Sequence, residues 1–417
     1  MDELTIIGHN IKYDYQILKL NGYELKRVYD TMLGEYILST GLSRPKGYYS
    51  LEETHLRRFG FNPYGNQLSL FDPWTPKSTR SGIEKMTREL AFYAVKDIEV
   101  TSKVYEQQLL EIQRENLIEI SNLENDFVLV LGDMELNGVP IDVDRWLELD
   151  EWVEEKKTES ESILKEQYPE VENWNSSKQV VKLFKKLGIS VLNKYDKESV
   201  QELVIAKQAK EHPIIDKYLE YKRFSKLKST YGIKFLKYVS PITDRIHSSF
   251  IQILNTGRIS STSPNLQNIV SGSDDFMEGH EWRKAFKPPK GRKFIIADYG
   301  SQELRVVANL AEDKTMLDAF EKNEDLHRIA ASALFGIPVE EVTKEQRRSA
   351  KIFNFSTLYG AGEANVADQF KISRQQAKQL IAAYYAKFNG LKSYQERKLQ
   401  QTLSDGYITL DSLGRKS

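Results

Sequence analysis

The 417-residue sequence contains no cysteine. Disulfides, thiolate metal sites and cysteine nucleophiles are therefore excluded, which fits a reducing compartment. Long apolar runs are missing too. Nothing approaches the roughly 20 apolar residues of a membrane span, and the opening MDELTIIGHN has neither the basic start nor the apolar core of a secretory signal. Charge of either sign is not in excess, with 59 Lys plus Arg against 60 Asp plus Glu, so net charge neither demands nor excludes nucleic acid. These absences lead to the expectation of a soluble, cytoplasmic protein with no membrane partner. What is present is globular material, 40% hydrophobic and 11% aromatic, long enough for two or three domains with their own cores.

Charge is uneven along the chain. Acidic residues crowd positions 142–172, whereas Lys222, Arg223, Lys226, Lys228, Lys234 and Lys237 follow one another closely and could form a local cationic surface. The pattern over 142–238 is almost wholly helical, and a solvated helical bundle would explain its charges. Earlier, Leu4–Ile7 is expected to be a strand and Asn10–Leu20 an amphipathic helix. The Gly, Pro, Asn and Ser content of Tyr48–Ser81 predicts an extended loop. A helix free of Pro and Gly is expected over Glu84–Glu119, another over Ile118–Asp133, and a turn at Leu136–Pro140 leads into a small hairpin-like element. Ser176 or its neighbour Ser177 is a candidate N-cap ahead of Val180, Val181, Leu183 and Phe184.

Chemistry concentrates in three stretches. In KFIIADYGSQELR, 293–305, Phe294–Ala297 predicts a short buried strand, Gly300 a tight turn and Ser301–Leu310 a helix. Asp298 would then stand at a strand's carboxyl end, where open sheets commonly place ligand-binding groups, although for one Asp taken alone a solvated loop aspartate is the plainer reading. The stretch NTGRISSTSPNLQN, 255–268, is too polar for a core. It suits either a plain loop or a surface that bonds phosphates, sugars and base edges. In KEQRRSAKIFNFSTLYG, 344–360, Arg347, Lys351, Phe355 and Tyr359 are spaced four apart and share one broad helical face. Two cations followed by two aromatics suit a ligand with a polyphosphate at one end and a flat ring at the other; an amphipathic helix with packed aromatics is the plainer alternative.

A carboxylate and a phosphate-gripping helix together suggest nucleotidyl transfer assisted by Mg²⁺ or Mn²⁺, two ions about 4 Å apart serving the attacking hydroxyl and the leaving pyrophosphate. The motifs DYGSQELR, RRSAKIFNFSTLYG and TGRISSTSPNLQNI, with Asn175-Ser-Ser-Lys-Gln179 and Phe224–Tyr231 upstream, resemble the family A DNA polymerases of the bacterial polymerase I type, in order and over essentially the whole chain. The implied fold is α/β plus α: a partial ribonuclease H-like 3'-5' exonuclease domain over 1–120, a helical thumb over 121–240, and an antiparallel-sheet palm over 241–417 with helical fingers inserted at 315–400. The implied activity is template-directed DNA synthesis on primer–template DNA from dNTPs.

By this resemblance Asp298 and the Tyr299 carbonyl would bind the metal ions, and Glu303 would act as the steric gate against a ribose 2'-hydroxyl. Arg347 and Lys351 would hold the triphosphate, Phe355 would pack on the sugar, Tyr359 would lie near the template base pair, and His327 would lie near the nucleotide. Having Phe rather than Tyr at 355 implies poorer acceptance of dideoxynucleotides. Lys226, Lys228, Ser229 and Thr230 would meet the duplex backbone, and Arg258, Asn265, Gln267, Asn268 and Arg283 primer and template. GHNIKYD, 8–14, and YAVKD, 93–97, resemble two exonuclease motifs, with Asn10, metal-binding Asp14 and Asp97, and Tyr93 orienting a water.

Two motifs of the pattern do not occur in the sequence: the exonuclease's Asp-x-Glu, and the palm's His-Asp-Glu, which would follow the Gly406–Leu410 and Gly414–Lys416 region. Gly300-Ser-Gln stands where Ser-Gln-Ile is commoner. The expectations are a chain truncated at both ends, weak or absent polymerisation by the isolated chain, and doubtful proofreading. A split enzyme completed by a second polypeptide and a non-catalytic DNA-binding relic are the alternatives. A single-subunit RNA polymerase, which shares the palm plan, is a further one that Glu303 argues against.

Overall fold

The computed structural model describes residues 4–39, 44–64, 88–194, 197–199, 205–270, 272, 279–409 and 413–415. It divides into two compact units, Met1–Phe294 and Ile295–Ser417. Outside the described residues lie the expected loop from 65 to 81, the expected start of a helix at Glu84, and positions Leu410 and Lys416.

In the first unit, β1 (Ile6–Gly8) leads into α1 (Lys12–Leu20) and then into β2 (Val28–Asp30), which pairs with β1 in parallel. Next come α2 (Thr31–Leu38), α3 (Leu51–Phe59), α4 (Arg88–Arg114) and α5 (Ile118–Asn137). The α3 helix corrects the expectation of an extended loop. Ser50 accepts from the Glu53 amide at its start, and Gly60 closes it in the left-handed conformation, so local caps outweigh a loop-like composition. The helix expected to run through to Glu119 ends at Arg114 instead, because Asn116 takes a φ of 56°, which Asn tolerates better than most residues.

Buried charge organises this region. Glu35, in α2, accepts from Arg57 at 3.1 Å, Arg58 at 2.6 Å and Gln108 at 3.1 Å, which joins α2, α3 and α4. Asp30 is 1% exposed and accepts from the amides of Asn10, Ile11 and Met32, while its own amide donates to Asn125 of α5. Close helix packing also depends on Gly132, where a Cβ would lie 2.6 Å from the Tyr15 ring of α1.

The chain continues through β3 (Val139–Pro140), α6 (Val143–Gln167), α7 (Ser177–Lys186), the hairpin β4 (Leu192–Lys194) and β5 (Lys197–Ser199), and α8 (Ile214–Tyr231). Ser176 holds the N-cap position of α7, but its hydroxyl makes no capping bond. The β4–β5 hairpin interrupts a stretch, 142–238, that was expected to be almost wholly helical. Next, β6 (Arg245–Ile246) pairs with β3, and β7 (Ser249–Ile251) pairs antiparallel with β8 (Ser260–Thr262) ahead of α9 (Gly279–Lys284). Trp146 anchors this part. It is fully buried, stacks on Phe235 at 4.5 Å, meets Trp282 edge-on, and donates its indole N–H to the Tyr231 carbonyl at 2.7 Å.

The second unit is helical among its described residues: α10 (Gln302–Ala311), α11 (Lys314–Glu321), α12 (Leu326–Phe335), α13 (Lys344–Leu358), α14 (Glu363–Phe370), α15 (Arg374–Lys387) and α16 (Asn389–Asp405). Leu304, Met316, Ile329, Phe353, Tyr384 and Phe388 form its core. Asp313 caps α11 through the Met316 amide and also accepts from the Leu391 amide at the start of α16. The strand expected at Phe294–Ala297 is not formed: those residues are in no regular element, and Ile295 and Ile296 are 95% and 90% exposed. The sheets among the described residues are two-stranded pairs, and no described strand pairs with this segment. No described helix is long and apolar enough to cross a membrane.

Two predictions concern these buried and partly buried acids. Burial raises the Asp30 carboxyl to about 6 against the pull of the Asn10, Met32 and Ile11 amides. The fold therefore binds this proton more tightly than the unfolded chain, and stability from this group is present at low pH and falls as pH rises through about 4 to 6, by up to about 3 kcal/mol. Urea titrations across that range should show the decline in the parent and a flatter profile in Asp30→Asn; equal slopes would refute the assignment. At α12, burial pushes the Asp325 carboxyl up, but the Arg347 guanidinium and the His327 and Arg328 amides outweigh it and leave the pKa lowered. Because Asn caps as well as Asp, Asp325→Asn should remove only the ion pair. The expected loss is below about 1 kcal/mol at neutral pH for so exposed a pair, fading as pH falls below about 4. A loss that persists at pH 3 would point to a broken cap instead.

Candidate nucleotide and nucleic-acid site

The nucleotide-facing candidates of the second unit arise from the crossing of α12 and α13. Thr343 begins α13 with a capping box, accepting from the Gln346 amide while the Gln346 side chain returns to the Thr343 amide. Arg347 follows in the first turn, and its Nε donates to Asp325, the residue that caps α12 through the His327 and Arg328 amides. Two turns after Arg347, Asn354 meets Nδ1 of His327 at 2.8 Å in a buried contact. The His327 ring lies 6.0 Å from the Phe355 ring at a tilt of 50°. Burial lowers the His327 pKa, with Arg347 and Lys351 adding to the effect and Asp325 opposing it.

Arg347, His327 and Phe355 are therefore gathered at one place. Lys351 stands exposed on the same helix. Tyr359 lies just past the last turn of α13 as its C-cap, 66% exposed, so the expected four-residue ladder ends one position outside the helix. Asp325 and Asn354 are partners that sequence reasoning did not single out. An Asp directly before a helical run is a cap signal that could have identified the first; no local pattern announces the second.

Asp298 and Tyr299 lie in the exposed, non-regular segment that precedes α10, with Tyr299 79% exposed. Glu303 sits in the first turn of α10, and Arg305 fixes that turn by donating to the Gly300 carbonyl at 3.0 Å. It is Ser301, at a φ of 54°, rather than Gly300 that takes the left-handed conformation at this turn. Among the described residues no group of three His, Cys, Asp or Glu could hold a metal ion.

In the first unit, the polar stretch 255–268 folds through β8 and a short 3₁₀ turn, Leu266–Asn268. Several of its polar side chains bond to their own loop. Asn265 accepts from the Gln267 and Asn268 amides, and Gln267 bridges the Ser261 amide and the Ile259 carbonyl. Arg283 donates to the Ile269 carbonyl at 3.2 Å, the Tyr231 hydroxyl donates to the Asn268 carbonyl, and Arg258 is exposed. On α8, Lys226, Ser229 and Thr230 share an exposed face, whereas Lys228 turns to Asp150 at 3.0 Å and Glu154 at 3.1 Å. Those two carboxylates already neutralise Lys228, which differs from the expectation of a backbone-binding cation.

The exonuclease-like residues also find protein partners. The Asn10 amide donates to Asp30 at 2.8 Å. Tyr64 and Tyr93 stack at 5.5 Å, and both hydroxyls bond Asp97. Tyr93 is thus committed to Asp97 rather than standing ready for a water, and Tyr64, which sequence reasoning missed, covers the same carboxylate. Burial raises the carboxyls of both Asp14 and Asp97, with the two tyrosines opposing it at Asp97.

Comparison with known proteins accounts for both units. The family model described as DNA polymerase family A matches residues 144–417, and one described as 3'-5' exonuclease matches residues 1–113. The chain is 33% identical to DNA polymerase I of Pseudomonas aeruginosa, over 96% of this chain and 44% of that protein. It is also 33% identical to DNA polymerase I of Bacillus subtilis, over 94% of this chain and 44% of that protein. It thus spans less than half the length of these curated relatives. Among solved structures it is similar to the polymerase domain of Pol1 from M. smegmatis, in complex with DNA primer-template and dNTP, with a TM-score of 0.83 and 25% identity over 98% of this chain and 67% of that one. From 144 onward, then, through the crossing of α12 and α13 and on to its last residue, the chain belongs to DNA polymerase family A.

Proposed function

We propose that the chain handles nucleotide and DNA in template-directed DNA synthesis. In that reaction a primer 3'-hydroxyl loses its proton and attacks the α-phosphorus of a dNTP, and pyrophosphate leaves. The observation that carries this reading is the gathering of Arg347, His327 and Phe355, with exposed Lys351 on the same helix, a set able to meet phosphate oxygens and a sugar. In this reading Glu303 crowds a ribose 2'-hydroxyl and Tyr359 lies near the template pair. Lys226, Ser229, Thr230 and Arg258 meet DNA from exposed positions, residues 121–240 act as thumb, and 241–417 act as palm with fingers at 315–400. The DNA polymerase I names of the relatives favour this over RNA synthesis, and no comparison supports a second polypeptide as partner.

Divalent cations are general to the family. Asp298 with the Tyr299 carbonyl is an incomplete ligand set for two ions, and among the described residues no three-ligand cluster completes it. The reading therefore rests on nucleotide and DNA binding by this chain's own side chains. Asp97, covered by Tyr64 and Tyr93, gives no comparable support to proofreading.

Lys351→Ala tests the proposal. Equilibrium titration of dNTP onto the chain with labelled primer–template DNA should show dNTP affinity lowered by about tenfold or more, while DNA affinity stays within about twofold. DNA affinity itself should fall steeply with added salt. Unchanged dNTP affinity in the variant would remove Lys351, and with it the phosphate-binding face of α13, from the proposal.

A further inference from the structure

Asn354 is 1% exposed and His327 7% exposed, and the amide Nδ2 lies 2.8 Å from the ring Nδ1. An amide N–H can bond only to a ring nitrogen that carries a lone pair. That places the proton of the neutral imidazole on Nε2. The other amide atom, Oδ1 of Asn354, is buried without a hydrogen-bond partner, so the histidine is the partner that the Asn354 side chain serves. A half-turn of the same amide would bring Oδ1 to Nδ1 and suit the imidazolium. That turned amide would equally suit the neutral Nδ1–H tautomer, so it is the orientation present, with Nδ2 facing Nδ1, that keeps the N–H on Nε2.

Resting on the nucleotidyl-transfer reading above, we propose that Asn354 is a positioning residue: it holds His327 so that Nε2–H remains a donor for a phosphate oxygen of the incoming nucleotide. The charged groups acting on the ring are Asp325 at the start of α12, and Arg347 and Lys351 from α13, and the Phe355 ring lies beside it. A histidine left untethered in that field could expose a lone pair at Nε2 instead, and a lone pair repels a phosphate oxygen. The tether matters for the ligand because it decides which nitrogen carries the proton.

The test uses ¹⁵N-edited NMR of the histidine ring in the full chain, with dNTP titrations in the presence of primer–template DNA. Three chains are compared: the parent, Asn354→Leu, which keeps the shape without the hydrogen bond, and Asn354→Asp, whose carboxylate would accept from Nδ1–H. The parent should show the neutral Nε2–H form and Asn354→Leu a mixture of tautomers with dNTP affinity lowered by about tenfold, the scale of one lost hydrogen bond to phosphate. Asn354→Asp should show an imidazolium that persists to higher pH, with dNTP affinity restored toward that of the parent. A parent ring protonated on Nδ1, or a tautomer unmoved by Asn354→Leu, overturns the proposal. So does equal loss of affinity in both variants when circular dichroism shows both folded, because a purely structural contact would give that result. If the tautomers respond as expected but the parent binds no dNTP, the nucleotidyl-transfer reading fails and the tether to His327 stands.

Discussion

The register of α13 against α12 is the constraint on which the chemistry of the second unit depends. It is fixed at two points, Asp325 with Arg347 and His327 with Asn354. The two α13 residues are seven apart, which brings them back to nearly the same face about 10 Å farther along the axis. A slip of one residue would turn that face by about 100° and break both contacts at once. The exposed ion pair contributes little energy by itself. The buried pair has higher stakes, because an amide or imidazole buried without a partner is costly. Together they specify geometry: the same register sets the flank on which Lys351 and Phe355 stand.

Buried and half-buried acids play the corresponding role in the first unit. Glu35 joins three helices, Asp30 ties the β1–α1 turn to α2, and Glu135 takes Lys12 and Gln16, each at 2.6 Å, together with the Phe250 amide. Each is held by several donors, as a buried carboxylate must be. Of the acids whose motif spacing suggested catalysis, Asp14 is exposed and Asp97 half-buried, and Asp97 already satisfies two tyrosines. In this region, then, the carboxylates with the most donors hold the fold together, and the motif-borne ones are neither the most buried nor the most strongly perturbed.

Elements set by local rules were legible in the sequence. The α1, α10 and α13 helices lie where periodicity puts them, and the spacing of Arg347, Lys351 and Phe355 was readable because helical geometry alone puts them on one face. The α3 helix was missed because Gly and Asn nearby obscured a Ser50 cap, and the break at Asn116 because a single left-handed residue leaves no trace in an otherwise unbroken pattern. Contacts distant in sequence were invisible for a different reason. Nothing near Asn354 names His327, and nothing near Lys228 names Asp150; such pairings exist only once two helices have packed. The polar loop at 255–268 shows the same limit, since the side chains that suggest DNA contacts are the ones that bond to their own turn.

The segment before α10 marks where local pattern gives way to pairing. Phe294 to Ala297 has strand-forming residues, yet a strand's backbone groups need a neighbouring strand, and no described strand supplies one. With Ile295 and Ile296 almost fully exposed, the segment forgoes roughly 1.5–3 kcal/mol per side chain of burial. Among the described residues no strand pairing of that kind holds Asp298 in place. Glu303, five residues on, is anchored differently: left-handed Ser301 starts the helix, Arg305 bonds back to Gly300, and Leu304 packs in the core. The helix therefore fixes Glu303 by its own geometry, whereas the position of Asp298 depends on a sheet partner that the described residues do not provide.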